Sequence, residues 1–259
     1  MKRILLGLLL VSIKANAFDN TYFKGPYAFR FSGLSSIVLA NEPRTVATGM
    51  LNADGNGHVT GHGSFRSAGI TCLGTIIGGY HINQDGTGVL NSILSTTTPG
   101  CFNIAFDTAI VLWNGGEVFE LANTENDYLI GTLTKQHKSN FKLKDFNGNY
   151  AFHFEGPSSV VRASEPQTVG VGLLTADGKG NISGNGNLRS YGVNCPGNFS
   201  GNYSVQPDGT GAINTNFYTS HPGCFNTVVD MSMALFQSGN GAEVASYEND
   251  SLEGTLNHQ

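Results

Sequence analysis

The sequence predicts an all-β protein built as two tandem antiparallel eight-stranded meander barrels, with a pair of β-sandwiches as the alternative packing. Three observations predict it. Residues 25–133 recur at 148–256 at a constant offset of 123 without a gap, and 52 of the 109 aligned positions are identical. A repeat that long exceeds any solenoid unit, so each copy reads as a whole domain with its own core. Inside each copy, alternating apolar runs are divided by Asp-Gly turns, and no stretch carries a useful helical period. Eight strands joined by tight turns can close on themselves and leave no bare edge.

The elements follow in order. Strand one covers 25–31 and is echoed at 148–154; Tyr27, Phe29 and Phe31 share one face, as do Tyr150, Phe152 and Phe154. That alternation predicts a half-buried strand. A loop ending at Glu42-Pro43 (Glu165-Pro166) leads to a second strand at 45–52. Asp54-Gly55-Asn56-Gly57 turns the chain into a third at 59–66, and the copy turns at Asp177-Gly178-Lys179-Gly180. Asp-Gly between alternating runs is a strong hairpin signal. Strands at 74–82 and 89–96 flank a second such turn, Asp85-Gly86-Thr87-Gly88, echoed at Asp208-Gly209-Thr210-Gly211. Strand six covers 102–113, with Phe102, Ile104, Phe106, Ile110 and Leu112 on one face. The last two strands are expected at 118–122 and 128–133.

The four cysteines obey the same offset, Cys72 with Cys195 and Cys101 with Cys224, two per repeat and 29 apart. Four cysteines allow three connectivities. Duplication of a self-contained unit favours Cys72–Cys101 and Cys195–Cys224, which would clip the open end of the hairpin between them. The N-terminus supplies the compartment. Met1-Lys2-Arg3, an apolar run at 4–13 and Ala15-Asn16-Ala17 have the form of a secretory signal, too short to span a bilayer. The expected layout is a signal peptide at 1–17, a first barrel at 18–134, a basic linker at 135–147 and a second barrel at 148–259. The product is expected to be secreted, periplasmic or extracellular, and bacterial, with no membrane span. Losing Lys2, Arg3 and Lys14 leaves 11 basic against 19 acidic residues, a net charge of −8. Such an acidic chain is a poor binder of nucleic acid. The mature chain's basic cluster is in the linker, at Lys135, His137, Lys138, Lys142 and Lys144; it reads as a solvated connection or a contact for an acidic partner.

The Gly-x-Tyr openings, Gly25/Tyr27 and Gly148/Tyr150, are similar to the Gly-x-Trp opening of lipocalins. With the strand count and meander order, each repeat resembles the calycin-type barrels, lipocalins and avidins. That resemblance implies a barrel with a lumen for a small ligand. The chain departs from it in having Tyr for Trp, no Arg in the last strand of either repeat, and a single Trp, Trp113, aligned with Phe236. Biotin binding is therefore not implied. The pattern is also similar to that of secreted bacterial proteins, which implies no activity.

Three functional readings emerge. The first is a non-enzymatic exported binding protein whose barrels hold a small apolar or amphipathic ligand, with Tyr27, Phe29, Phe31, Tyr80 and Arg66, and Tyr150, Phe152, Phe154, Tyr203 and Arg189, as candidate ligand residues. The second is a structural or host-facing module that binds a protein partner through outer surfaces, where duplication adds avidity. The third is a hydrolase or isomerase using Asp107 and Glu120. No nucleophile elbow is present and no histidine recurs at equivalent positions, so no catalytic residue is assigned. His58, His62 and His81 could share a polar face, but the copy has Asn181, Asn185 and Ser204. Asn52-x-Asp54-x-Asn56-Gly57 imitates the start of a calcium loop, yet Gly63 stands where the closing Glu belongs. No metal or cofactor is expected. Other polar residues kept in both copies include Asn91/Asn214, Asn103/Asn226, Asp107/Asp230, Glu120/Glu243 and the Glu125-Asn126-Asp127/Glu248-Asn249-Asp250 run.

Overall fold

A computed structural model of the chain describes residues 17–38, 43–124, 127–161, 166–247 and 250–259. Residues 1–16 of the expected signal peptide at 1–17, and Glu42, Glu165, Glu125, Asn126, Glu248 and Asn249, lie outside the described residues. The expected architecture is present. Eight antiparallel strands close the first barrel: β1 (Lys24–Leu34), β2 (Arg44–Asp54), β3 (His58–Ser67), β4 (Ile70–Ile82), β5 (Thr87–Thr96), β6 (Ile104–Trp113), β7 (Val118–Asn123) and β8 (Tyr128–Lys135). The second repeats it with β9 (Asn147–Pro157), β10 (Gln167–Asp177), β11 (Asn181–Ser190), β12 (Val193–Val205), β13 (Thr210–Tyr218), β14 (Thr227–Phe236), β15 (Gly241–Ser246) and β16 (Glu253–His258). In each barrel the last strand pairs with the first, β8 with β1 and β16 with β9, which closes the sheet and removes its edges.

Turn chemistry sets the hairpins. Asp54 Oδ1 accepts from the backbone N–H of Asn56 and His58, and Asp177 Oδ1 does the same for Lys179 and Asn181. Gly55 and Gly178 adopt the left-handed backbone that the turn requires. Both disulfides join the expected pairs, Cys72–Cys101 and Cys195–Cys224.

Aromatic rings fill each interior. Phe29, Phe31, Phe65 and Phe106 pack ring against ring, with Phe31 and Phe106 stacked and the others tilted; so do Phe152, Phe154, Phe199 and Phe217, with Phe152 and Phe154 stacked and Phe199 edge to face on Phe152. The Phe29 ring lies over Gly63, where an added Cβ would come within 2.5 Å of its Cζ; Gly186 and Phe152 repeat the arrangement. Glycine in these strands therefore makes room for an inward phenylalanine. Tyr27 donates its hydroxyl proton to the Gly116 carbonyl, and Tyr150 to that of Gly239. Each barrel's last strand runs two residues past the predicted end, to Lys135 and His258. Lys135 stands opposite Tyr27 with its ammonium over the ring, and His258, its equivalent, stands opposite Tyr150 with the rings edge to face.

Three sequence expectations are refined. The repeat extends outward to 18–136 and 141–259, because Phe18 matches Phe141, Phe23 matches Phe146 and Gln136 matches Gln259. Phe141 and Phe146 are buried in the second core, so much of 135–147 belongs to the barrels and the connection shrinks to 137–140. Within that stretch Lys138 pairs with Asp145, and Lys135 and His137 with Glu117. Phe102 precedes β6 and is exposed, because its backbone N–H is drawn off to the Ile37 carbonyl. Cys72 lies inside β4, which begins four residues earlier than the apolar pattern indicates.

Candidate functional site: the junction of the two barrels

Along β2 the outward residues should be exposed, yet Val46 and Thr48 are buried beside the inward residues. The cause is the second barrel. The outer face of β1, β2 and β8 meets the outer face of β14 and β15, with Ala28 packed against Ala234 and Phe236.

An ion network sits in this junction. Glu243 of β15 and Glu253 of β16 are only 3 % and 2 % exposed. Arg30 of β1 bridges them, with Nε 3.1 Å from Glu243 and Nη1 2.8 Å from Glu253. Arg44 Nη2 adds a contact to Glu253 at 3.3 Å, and the hydroxyls of Thr132 and Thr134 donate to Glu243 Oε1. Burial pushes the Glu243 carboxyl above the ordinary range against the pull of Arg30 and the two threonines. Burial also works against the charge on Arg30, but the two carboxylates outweigh it and hold its pKa above the usual arginine value. A buried pair of this kind contributes little net stability, whereas losing one partner strands a charge.

Further contacts cross the junction. Arg66 Nε and Nη1 donate to the carbonyls of Asp250 and Tyr247 at 3.0 Å each. His62 Nε2 lies 2.7 Å from Asp208 Oδ2, in the second barrel's Asp-Gly turn. The hydrogen bond to Asp208 raises the His62 pKa, and the same bond leads the lowering of the Asp208 carboxyl. Gln136 anchors the chain at the junction by donating to the Asp208 and Leu235 carbonyls.

The His62–Asp208 pair stands between two clefts. The larger, about 1250 Å³, is open and draws its wall from both barrels. Its lining is rich in hydroxyls, with Thr48, Ser64, Thr71, Thr75, Ser95 and Thr96 from the first barrel and Ser204, Thr210 and Ser232 from the second. His62 adds a titratable group, Arg66, Asn103 and Tyr247 border the cleft with side chains bonded to the Asp250 and Tyr247 carbonyls, the Thr96 N–H and Asn214 respectively, and Leu73 and Met233 add apolar surface. The smaller, about 450 Å³, lies beyond His62 and is lined by Met50, Asn52, Thr60 and Gln136.

The candidate ligand residues separate into three groups. Tyr27, Phe29, Phe31, Tyr80, Tyr150, Phe152, Phe154 and Tyr203 are buried in the barrel cores, and none lines either junction cleft. Tyr80 and Tyr203 also donate to the Phe23 and Phe146 carbonyls, tying down the segment before the first strand of each barrel. Arg66 is at the junction, and its equivalent Arg189 is on the exposed outer face of the second barrel. Other kept polar residues hold loops: Asp127 and Asp250 accept from the backbone and hydroxyl of Ser36 and Ser159, and Asn103 and Asn226 accept from the backbone N–H of Thr96 and Thr219. Glu120 stands opposite Val111, four residues from Asp107, about 13 Å away along the strand. His58 is taken up by Asp54, and among the described residues no three His, Cys, Asp or Glu side chains gather into a metal-holding group.

Sequence reasoning missed Arg30, Arg44 and Glu253. Their equivalents are His153, Gln167 and Ile130. Loss of charge at outward positions of one copy was the available signal. Compared with protein-family models, with curated proteins and with solved structures, the chain matches none.

Proposed function

We propose that this is an exported, non-enzymatic binding protein that holds a polar, hydroxyl-bearing ligand of oligosaccharide size in the cleft between its barrels. The observation that carries the reading is the 1250 Å³ cleft itself, open to solvent, shared by both barrels and lined by serine and threonine side chains on a surface more apolar than polar, the mixed character that a sugar ring with its hydroxyls presents. Clefts at domain junctions with a few convergent polar groups are usual ligand sites. The interiors support the same choice, since their aromatic rings are packed against one another. A small apolar ligand in a lumen is the competing reading and would need those rings to move. Two disulfides per chain are compatible with a compartment outside the cytoplasm, and among the described residues no helix is long and apolar enough to cross a membrane.

The test is an oligosaccharide array probed with the mature chain, followed by calorimetry on any hit. Ser95→Trp fills the cleft from an exposed strand position without touching the ion network. It should weaken binding about tenfold or more. Retention of full affinity in that variant, or binding of an apolar fluorescent probe and no oligosaccharide, would overturn the cleft reading.

A further inference from the structure

The junction is heterologous: it joins one face of a barrel to a different face of its near-copy. Each barrel therefore keeps a bare equivalent of what the other has used. The second barrel leaves its β9–β10 face open, with Val169, Val171 and Leu173 exposed where Val46, Thr48 and Met50 enter the junction in the first. The first barrel leaves its β6–β8 face open, with Val111, Trp113 and Ile130 exposed where Ala234, Phe236 and Glu253 are buried in the second. Thr48 is 1 % exposed and its equivalent Val171 58 %; Ile130 is 64 % exposed and Trp113 52 %.

We propose that a second copy of this chain occupies these faces, head to tail, the second barrel of one copy packing on the first barrel of the next as the two barrels pack within a chain. The polar contacts of the junction have counterparts on the bare faces. Arg189 is the equivalent of Arg66 and would meet the carbonyls of Thr124 and Asp127. Gln259 is the equivalent of Gln136 and would meet those of Asp85 and Leu112. His153 would face Glu120 as Arg30 faces Glu243, and Asn185 would face Asp85 as His62 faces Asp208. Where the counterparts fail, the loss is matched on both sides. Arg44 and Glu253, a pair inside the chain, become Gln167 and Ile130, so no charge is stranded. Val171 for Thr48 and Ile130 for Glu253 turn the polar centre of the junction into an apolar one. Contiguous apolar residues on an outer sheet face mark an interaction surface. A heterologous contact repeated between copies gives a ring if the rotation closes and a filament if it does not.

Sedimentation velocity over a hundredfold range of concentration tests this with the mature chain and two variants, Val171→Lys on the second barrel and Ile130→Lys on the first. Both positions point outward from their barrels. The wild type should show species larger than the monomer that grow with concentration. Each variant alone should be monomeric. An equimolar mixture of the two should form a dimer and nothing larger, because each supplies the face that the other lacks. A wild type that remains monomeric throughout overturns the proposal, and so does a single variant that still dimerises, which would indicate a symmetric interface. Should a lysine variant lose its fold by circular dichroism, the wild-type series alone decides. Oligosaccharide binding does not enter the readout, so this test can fail while the cleft reading stands.

Discussion

Strands β2 and β10 hold the same place in two barrels with the same turns and disulfide, and with an aromatic filling drawn in part from different strands, and they meet different surroundings. In β10 the outward residues alternate exposed with buried inward ones, the pattern of a half-solvated strand. In β2 the alternation is erased because the second barrel covers the outside. The mirror comparison holds for β7, which alternates, and β15, which is buried throughout. Inward positions were held by the demand to fill a barrel, so the copies agree there in kind. Outward positions were free to follow whatever they face. The charges Arg30, Arg44 and Glu253 are present only in the copies of those positions that lie in the junction.

The largest way to break the comparison is to remove the cation that only one barrel has. Arg30→Met leaves Glu243 and Glu253 buried with Arg44 and two threonines as their remaining partners. The expected cost is about 3–5 kcal/mol, read as loss of stability in denaturant or as separation of a single unfolding transition into two. His153→Met, at the equivalent exposed position, should stay within about 0.5 kcal/mol. Equal effects at the two sites would mean that the junction is not held as described.

The disulfides sharpen the comparison from the other side, because they are a feature the barrels share. Each closes a loop of 29 residues on the same pair of elements. Replacing Cys72 and Cys101 by alanine should cost about 3–4 kcal/mol in the chain-entropy model, and replacing Cys195 and Cys224 should cost the same. Calorimetry of the two double variants checks this. A clear inequality would show that coupling through the junction, and not the loop alone, sets the stability of each barrel.

How much of this was legible in the sequence follows the same division. The strands, turns and cystine pairs are properties of one barrel and are written in periodicity, Asp-Gly steps and the offset of 123. Arg66 stood out because both copies have it, but whether it faced a lumen, solvent or a second barrel could not be read from one barrel's pattern. The register of barrel against barrel is set by outer faces that carry no period of their own. Phe102 was misplaced for a related reason: its alternation continues that of β6, while its backbone is captured by Ile37. The differences between the copies held what was missing, since Arg30/His153, Arg44/Gln167 and Glu253/Ile130 are all outward positions and all change charge.

The smallest expected effect concerns His62, whose equivalent is Asn185. His62→Asn makes the first barrel like the second at this point and removes the imidazolium from Asp208. The hydrogen bond to Asp208 raises the His62 pKa, so its stabilisation is fully present below about 6.5, the ordinary value for histidine, and is lost as the pH rises through the raised one. Asp208 is depressed, so its share is present above about 3.9, the ordinary value for aspartate, and is lost as the pH falls through the depressed one. The pair therefore holds the junction best between those limits, under mildly acidic conditions. Both side chains are a third or more open to solvent, which limits the contribution to under about 1 kcal/mol. The stability difference between wild type and His62→Asn should be greatest near pH 5 to 6 and should fade as the solution turns alkaline. A difference that stays constant from acid to alkaline pH would mean that His62 contributes by packing on the cleft wall and not by its charge.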